Sequence, residues 1–303
     1  MRSRPLGLQL SRRDVLRTAL GAVGLVTLGG LVGDDTPSPP TFGSLLEGRP
    51  FYVAHRGGGG DWPEMTAYAY DQASRLPGLQ ALEVSLCLSR DGVLVCSHDQ
   101  TTTRVTGVSR TIAAEPWSVL SRLRVSAAGT TDPNQPSQPL SRFEEVAGHA
   151  SELVLFAEPK VEAASAPLLE ALAALRQPGR TVLKSYVTNP TFAQAKARGF
   201  STWAYVLDQP SHLGANLERF AADDAIDLLG VGVAESDELI TSVVTAARRH
   251  GKQTMAYPLT TPAEVSRARA LGCTGLMTSR IRELLPPAHR GPGELASTRL
   301  PAR

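Results

Sequence analysis

Short runs rich in β-branched and aromatic residues alternate along this chain with segments that have helical periodicity. The helical segments carry apolar residues at i, i+3 and i+4 spacing and end near Gly, Pro or a basic residue. Eight strands are predicted: Tyr52–His55, Ala81–Cys87, Leu153–Glu158, Thr181–Tyr186, Thr202–Leu207, Leu228–Val233, Gln253–Tyr257 and Gly275–Thr278. Because alternating strands and helices form parallel sheets, eight units in about 250 residues predict an α/β fold, a (β/α)8 TIM barrel rather than a doubly wound open sheet.

A hairpin interrupts this alternation after the second predicted strand. The turn signal S-R-D-G at 89–92 is followed by a strand at Val93–Ser97, too soon for a helix between them. We expect Leu88 to face Val93, a register that places Glu83 opposite His98 and Ser85 opposite Cys96. A bulge would shift this register by one residue. Residues 100–139, rich in Thr, Ser, Pro and Gly, predict an insertion over the barrel mouth.

The two ends of the chain differ from the part that forms the barrel. The sequence S-R-R-D-V-L at 11–16, followed by an uncharged run over 18–33, resembles a twin-arginine export signal. The run is shorter than the ~20 residues of a membrane-spanning helix. We therefore predict an export signal at 1–33, a linker at 34–49, a barrel at 50–286 and a flexible tail at 287–303. This predicts a secreted or cell-envelope protein, and whether the signal is cleaved stays open.

Composition limits the possible partners and sources of stability. With 42% hydrophobic and 20% charged residues, the 303-residue chain has the composition of one large globular domain. Its 31 Lys and Arg against 29 Asp and Glu give a net charge of +2, which argues against nucleic acid as a main partner. Three cysteines cannot form the disulfide framework of a small secreted domain, so stability depends on a buried core.

Groups that can exchange protons and bind phosphate lie where the first predicted strand ends. His55-Arg56-Gly57 occupies the height at which a barrel places catalytic groups. Histidine exchanges a proton near neutral pH, and arginine offers a fork of donors to phosphate oxygens. The same tripeptide recurs at 289–291, in a Pro/Gly-rich stretch without a preceding strand, where we interpret it as chance.

Further motifs follow the first one in a fixed order. They are P-E-M-T at 63–66, E-V-S at 83–85, D-G at 91–92, H-D at 98–99 and E-P-K at 158–160. Together with His55-Arg56-Gly57 they resemble the glycerophosphodiester phosphodiesterase family, whose pattern runs H-R-G, P-E-N-T, E-x-D, D-G, H-D and E-x-K. The resemblance extends over roughly residues 50–285, through A-Y-P-L-T at 256–260 and G-L-M-T-S at 275–279.

The resemblance implies roles for the matching residues. His55 and His98 would be the general acid/base pair, one helping the nucleophile lose its proton and the other protonating the departing alkoxide. Arg56 would hold the non-bridging phosphate oxygens, and Lys160 would add a second positive charge. Tyr257 and Trp203 could line the substrate pocket, although core packing explains aromatic residues on barrel strands equally well.

The resemblance also implies a divalent metal ion, magnesium or calcium, with Glu83 and Glu158 as ligands. Ser85 departs from the pattern, because it stands where E-x-D has its aspartate. Three outcomes follow: the two glutamates hold the ion with waters, Asp61 replaces the missing carboxylate, or the domain binds ligand without hydrolysing it. We favour the first two. Alternatively, the two glutamates simply pair with Arg56 and Lys160.

The leading hypothesis is therefore an exported, metal-assisted hydrolase that converts small glycerophosphodiesters to glycerol 3-phosphate and an alcohol. The first alternative is a phospholipase D-like enzyme acting on intact lipids, which needs an apolar rim and contact with a membrane. The second is a catalytically weak binding protein that kept the barrel and lost the metal. Ser85 favours this last reading, whereas the intact histidine pair argues against it.

Overall fold

Eight parallel strands close into a barrel in the computed structural model, which describes residues 38–47 and 50–287. The strands of the chain are β1 (Phe51–Ala54), β2 (Ala81–Leu88), β3 (Leu94–Cys96), β4 (Arg124–Val125), β5 (Gln138–Pro139), β6 (Val154–Pro159), β7 (Thr181–Tyr186), β8 (Ser201–Val206), β9 (Leu228–Gly232), β10 (Gln253–Leu259) and β11 (Gly275–Thr278). The barrel order is β1-β2-β6-β7-β8-β9-β10-β11, and β1 pairs with both β2 and β11. The predicted TIM barrel is confirmed.

Helices follow most of the barrel strands. They are α1 (Phe42–Leu45), α2 (Ala67–Ser74), α3 (Thr103–Thr106), α4 (Trp117–Leu120), α5 (Phe143–Ala147), α6 (Ser165–Ala174), α7 (Thr191–Ala197), α8 (Ala215–Ala222), α9 (Asp237–Arg249), α10 (Pro262–Ala270) and α11 (Ile281–Leu284). None of the helices in the described ranges is long and apolar enough to cross a membrane. The predicted export signal at 1–33 and residues 288–303 of the predicted tail lie outside the described residues.

The barrel interior is apolar toward the N-terminal ends of the strands and polar toward their C-terminal ends, which form the mouth of the barrel. Phe51 and Val53 of β1, Phe156 of β6, Val182 of β7 and Trp203 of β8 belong to one buried cluster, separate from the cluster between strands and helices. Side chains alternate along a strand, so the next inward positions toward the C-terminal ends carry the polar groups of the mouth. These groups are His55, Glu83, Glu158 and Lys184, all nearly inaccessible to solvent.

In this interior the Trp203 ring packs against a glycine of the neighbouring strand β9, Gly230. A Cβ atom on Gly230 of β9 would lie only 2.4 Å from Nε1 of Trp203. The ring is fully buried at 0% exposure. Of its two predicted roles, Trp203 therefore has the core one, and its assignment to substrate contact is wrong.

The β2–β3 hairpin has a register one residue away from the predicted one. Leu86 pairs with Cys96 and Leu88 with Leu94. The amide of Ser89 bonds to the carbonyl of Val93 at 2.9 Å, so the loop has three residues and ends in a left-handed glycine at 92 (φ 83°). Such three-residue loops lengthen the turn relative to a two-residue one. The predicted facing pairs Glu83 with His98 and Ser85 with Cys96 are therefore wrong.

Residues 100–139 form the predicted insertion over the mouth. A small hydrophobic core supports the insertion. In this core Ile112, Leu120 and Val125 of the insertion, together with Leu140 just after it, pack on Cys87 and Val95 of the hairpin. The insertion reaches the H-R-G loop, since the amide of Thr131 donates to the carbonyl of Gly60 at 2.7 Å.

Residues 42–45, inside the predicted linker, form the short helix α1. The hydroxyl of Thr41 caps its first turn. Phe42 and Leu45 are buried in the interior cluster, and the Phe42 ring lies 6.3 Å from that of Phe156. This part of the predicted linker is thus folded onto the barrel, because its two apolar side chains pack at the otherwise open N-terminal end.

Candidate active site

The H-R-G motif forms a tight turn at the end of β1. Arg56 has a positive φ of 54° there, a conformation that costs a non-glycine residue about 1–2 kcal/mol. Its amide donates to Oε2 of Glu83 at 2.8 Å, and its carbonyl accepts from Met65 at 3.1 Å. The strained turn is thus held on both sides, and it fixes His55 and Arg56 beside the carboxylate of β2.

The hairpin brings His98 to the same place. Because β1 ends at Ala54, β3 occupies the edge of β2 beyond it, running antiparallel. The amide of Ser97 bonds to the carbonyl of Ser85 at 2.9 Å, which places His98 just above the end of β1. The two predicted catalytic histidines therefore share the C-terminal end of the barrel.

Lys184 of β7 lies between the two glutamates that the sequence predicted as metal ligands. Its Nζ is 2.6 Å from Oε1 of Glu83 and 2.7 Å from Oε2 of Glu158. The Ser85 hydroxyl is 3.1 Å and 3.0 Å from the same two oxygens. Three neighbouring strands, β2, β6 and β7, thus bring two carboxylates and one ammonium group together in the buried interior.

Glu158 has two further partners nearer to the mouth. Its Oε1 accepts from Lys160 at 3.0 Å and from the Tyr205 hydroxyl at 2.5 Å. Burial alone would raise the pKa of both glutamates and is the largest single effect. The charge and hydrogen bonds of Lys184, together with Lys160 at Glu158 and with His55 and the Arg56 amide at Glu83, outweigh it, so that the pKa of Glu158 is about 2 and that of Glu83 lies below its usual range. The alternative prediction is that the two glutamates simply pair with Arg56 and Lys160. The pair of Glu158 with Lys160 is present in the structure.

His55 is buried and neutral near pH 7. Its Nδ1 lies 2.8 Å from the hydroxyl of Ser279. Burial lowers the pKa of His55 to about 3, and the positive charges of Arg56 and Lys184 act in the same direction, while Glu83 opposes them. An unprotonated imidazole is available to accept a proton.

His98 is more open and has a carboxylate partner. Its side chain is 34% exposed, and its Nδ1 lies 2.8 Å from Oδ1 of Asp99. Burial and the charge of Arg56 lower the pKa of His98, whereas the hydrogen bond with Asp99 raises it. Asp99 is held in turn by Nε of Arg104 at 2.6 Å. Asp99 thus partly offsets a net lowering of the His98 pKa, and the imidazole can donate a proton once it is protonated.

Two cavities adjoin the polar cluster. The smaller, of about 270 Å³, is lined by His55, Arg56, Ser279, Arg280 and residues 129–131 of the insertion. The larger, of about 570 Å³, extends from Lys160 to Tyr186 and Asn189. Nε of Arg56 is buried and has no hydrogen-bond partner in the described parts of the chain. The guanidinium therefore keeps a donor for an anion, although its Nη1 bonds to Glu64 at 3.2 Å.

The remaining predicted residues lie at different places. Oδ2 of Asp61 accepts from the amide of Arg282 at 2.9 Å, at the start of α11, and the residue is 2% exposed. The structure therefore does not bring Asp61 to the glutamate pair. Tyr257 is half-buried at the mouth, with its ring 5.5 Å from that of Tyr205, and its contact with substrate stays a prediction.

The donors at the mouth do not fit the divalent ion that the resemblance implies. The Lys184 ammonium already binds one oxygen of each glutamate, and Ser85 contributes a neutral hydroxyl where E-x-D has a carboxylate. Within residues 38–47 and 50–287, no three His, Cys, Asp or Glu side chains converge in a way that could hold a metal ion. Hard divalent ions bind through several oxygen ligands, so we derive no step through an ion.

Sequence reasoning missed Lys184, although a signal for it was present. Within the predicted strand Thr181–Tyr186, Val182 and Lys184 share one face, and Val182 is typical of a barrel interior. A lysine on that face at the C-terminal end of a strand could have been recognised as a mouth residue.

Comparison with known proteins gives the family. Fold and site together define a (β/α)8 barrel with two histidines and an excess of cationic donors at the C-terminal end of its strands. Residues 55–283, well over half of the chain, match the sequence profile of the glycerophosphoryl diester phosphodiesterase family. The chain belongs to this family.

Curated relatives match over a short segment. A "Probable glycerophosphodiester phosphodiesterase 1" of Mycobacterium tuberculosis is 48% identical over 56 residues, which are 18% of this chain and 20% of that protein. The glycerophosphodiester phosphodiesterase GDPD6 of Arabidopsis thaliana is 46% identical over 55 residues, 18% of this chain and 14% of that protein. The matched segment thus spans a fifth or less of these relatives.

Solved structures match over most of the barrel. The structure of a "Putative glycerophosphoryl diester phosphodiesterase" from Agrobacterium tumefaciens has a TM-score of 0.65 and 20% identity, covering 77% of this chain and 94% of that one. An Oleispira antarctica phosphodiesterase in complex with the product sn-glycerol-3-phosphate has a TM-score of 0.61 and 20% identity, covering 78% and 95%. At this identity the likeness establishes the fold.

Proposed function

We propose that this chain is an exported phosphodiesterase that hydrolyses glycerophosphodiesters to glycerol 3-phosphate and an alcohol. The observation that carries the proposal is the meeting of His55 and a free donor of Arg56 at one cavity of the barrel mouth, with His98 close enough for the charges of Arg56 and Lys160 to lower its pKa. Family membership supports the reaction class, and the glycerol 3-phosphate product of the Oleispira relative supports the substrate class.

The two histidines divide the proton transfers. Neutral His55 takes the proton of the attacking water as its oxygen bonds to phosphorus. His98, protonated and stabilised by Asp99, gives its proton to the alcohol oxygen as the bond from phosphorus to that oxygen breaks. An anionic phosphodiester raises the pKa of both imidazoles when it binds, which favours this protonated state. The same two histidines serve either route of attack. The nucleophile is water in direct hydrolysis, and it is a neighbouring hydroxyl of the substrate if the reaction passes through a cyclic phosphate.

Cationic groups bind the phosphoryl group in this proposal. Arg56 and Lys160 lie on either side of the buried cluster and line different cavities. A phosphodiester has two arms, so the glycerol arm enters the smaller, more polar cavity and the alcohol arm the larger one. Charge-assisted bonds to the non-bridging oxygens strengthen as negative charge develops.

A small soluble substrate fits this mouth better than a lipid surface. In the part of the chain that the structure describes, the exposed large apolar side chains are Tyr68, Val108 and Tyr186. Leu120 of the insertion is buried in the insertion's own core, together with most of Trp117. Membrane contact belongs to the phospholipase alternative, which needs an apolar rim. Export rests on the twin-arginine pattern at 11–16.

The direct test is product analysis with the purified full chain. Glycerophosphocholine and glycerophosphoethanolamine are incubated with the protein, and glycerol 3-phosphate and the free alcohol are measured together. We expect equimolar release of both products, with loss of activity in His98→Ala. A 31P NMR time course detects a cyclic phosphate if one forms.

Two results would decide against the proposal. Release of a phosphorylated alcohol with free glycerol would place the cleaved bond on the other side of phosphorus. Absence of turnover by a protein shown to be folded would leave two alternatives, which liposome assays distinguish: cleavage of intact phospholipid indicates the lipid enzyme, and ligand binding without cleavage indicates the binding protein.

A further inference from the structure

Lys184 occupies the centre of the buried carboxylate pair as a permanent cation. Both contacts, at 2.6 and 2.7 Å, are in the range of strong charge-assisted hydrogen bonds, and the Lys184 side chain is only 4% exposed. The aromatic rings of Trp203 and Tyr205 lie 5.4 and 5.8 Å from its Nζ. Aromatic faces attract cations, so the surrounding walls also favour an ammonium group at this point.

The charge at this point differs from that of the family motifs at position 85, and Lys184, which those motifs do not cover, changes it further. The motifs E-x-D and E-x-K contribute three carboxylates and one lysine, a net charge of −2 that suits one divalent cation. Here Ser85 removes one negative charge and Lys184 adds one positive charge. Glu83 and Glu158 are therefore balanced by Lys160 and Lys184, and the mouth reaches the same overall charge without an ion.

The residues at positions 85 and 184 depend on each other. An aspartate at position 85 would place a third carboxylate against Glu83 and Glu158, both of which the Ser85 hydroxyl now contacts. The two ammonium groups of Lys160 and Lys184 would then leave one of the three carboxylates unbalanced in a buried site. Conversely, a neutral residue at 184 would leave two buried carboxylates facing each other across the Ser85 hydroxyl.

We propose that Lys184 takes the place of the divalent metal ion in this chain and makes its diesterase reaction independent of metal. This inference rests on the proposed function. Lys184 acts as a positioning residue: it holds Glu83 and Glu158 together, and Glu83 in turn fixes the amide of Arg56. Lys184 and Lys160 together neutralise the two carboxylates, which leaves the Nε donor of Arg56 to attract the anionic substrate, and this neutralisation is the electrostatic task of a metal ion in such a site.

The test compares metal binding and turnover in the full chain. Wild-type protein is treated with a chelator, and glycerol 3-phosphate release is measured before and after adding magnesium, calcium or manganese. Binding of Mn²⁺ is measured separately from the electron paramagnetic resonance signal of the free ion. We expect turnover rates that agree within about twofold in all conditions. We also expect no bound Mn²⁺ at micromolar concentrations, because the Ser85 hydroxyl is neutral and both glutamates are already paired with an ammonium group.

A double variant, Ser85→Asp with Lys184→Ala, restores three carboxylates and is purified with magnesium present. We expect it to bind about one Mn²⁺ per chain and to lose at least about tenfold in rate on chelation, with recovery when the ion returns. Lys196→Ala is the matched control, because Lys196 pairs with Asp227 on the outside of the barrel. It should behave as wild type in both measurements.

Three outcomes overturn the inference: stoichiometric Mn²⁺ binding by wild-type protein, loss of wild-type turnover on chelation with recovery by an ion, or a folded double variant that binds no Mn²⁺. Failure of the proposed function is distinguishable from these. A wild-type protein without diesterase activity in any condition refutes the function, whereas the Mn²⁺ measurements still decide whether Lys184 stands in for the ion.

Discussion

Arg104 donates to both carboxylate oxygens of Glu64, with Nη1 3.0 Å from Oε2 and Nη2 2.6 Å from Oε1. Glu64 also binds Arg56, and Arg104 also binds Asp99. One guanidinium from the insertion thus connects the H-R-G turn to the Asp99 carboxylate beside His98. The bidentate bonds fix Glu64, and the remaining donor of the guanidinium, Nε, holds Asp99.

Replacing Arg104 by alanine should lower kcat about tenfold with little change in KM, because Asp99 loses the group that orients it toward His98. Steady-state kinetics with glycerophosphocholine measure this. Arg110→Ala is the control, since Arg110 pairs with Glu115 elsewhere in the same insertion. An equal loss in both variants would mean that the insertion itself, and not the Arg104 contacts, limits activity.

Removing the charge of Asp99 should change the pH profile. Asp99 raises the pKa of His98, so Asp99→Asn lowers that pKa further and His98 loses its proton at a lower pH. Because His98 acts as the protonated acid, the alkaline limb of the kcat profile should move to lower pH, and activity at pH 7.5 should fall about tenfold. Asp132→Asn, at an exposed position of the insertion, is the control. An acidic limb that moves to lower pH, with the alkaline limb unchanged, would reverse the roles of the two histidines.

Alanine at His55 or at His98 should each reduce kcat by about 10²–10⁴-fold, the usual contribution of a general acid or base. His250→Ala should leave kcat unchanged, because His250 lies on the outer surface beside Glu218. Circular dichroism spectra establish that all three proteins are folded. Wild-type rates in His55→Ala or His98→Ala would remove that histidine from the mechanism.

Gly230→Ala should lower the free energy of unfolding by about 2 kcal/mol, because the new Cβ overlaps the Trp203 ring and the interior has no room for it to move. Gly179→Ala adds the same methyl group where no atom lies within 4 Å, and it should leave stability nearly unchanged. Urea unfolding measures both. Equal stability of the two variants would show that the Trp203 ring shifts freely.

Phe42→Ala should cost about 3 kcal/mol of unfolding free energy, the usual effect of truncating a buried aromatic side chain. The cost arises at the N-terminal end of the barrel, where Phe42 packs on Phe156. Glu47→Ala, at an exposed position just after α1, is the control. Unfolding curves that coincide for Phe42→Ala and wild type would show that α1 contributes nothing to the barrel.

The barrel and the histidine pair could be predicted because their signals are local. Each strand is a short β-rich run, and parallel strands of a barrel end on the same side, so motifs at strand ends meet whatever the details of packing. His55 and Glu158 were placed in this way. The hairpin register depends on whether the loop has two or three residues, and both choices satisfy the same S-R-D-G signal.

The ionic partners of the site could not be predicted, because they depend on which strands become neighbours. Lys184 is one lysine in a β-rich run, and it bonds to Glu83 across 101 positions of sequence. Arg104 lies in a polar insertion, where nothing in the sequence distinguishes one arginine from another. Asp61 follows a run of glycines, and the conformation of that loop decides where its side chain points. These contacts become visible only once the barrel is closed.

The position of α1 limits where the chain can be shortened from its N-terminus. Phe42 and Leu45 close the end of the barrel opposite the active site, and the hydroxyl of Thr41 caps their helix. A protease that cuts before Thr41 leaves this closure in place, whereas one that cuts a few residues later opens the hydrophobic interior to water. The N-terminal boundary of a stable shortened chain is therefore set by a helix of four residues rather than by the first strand.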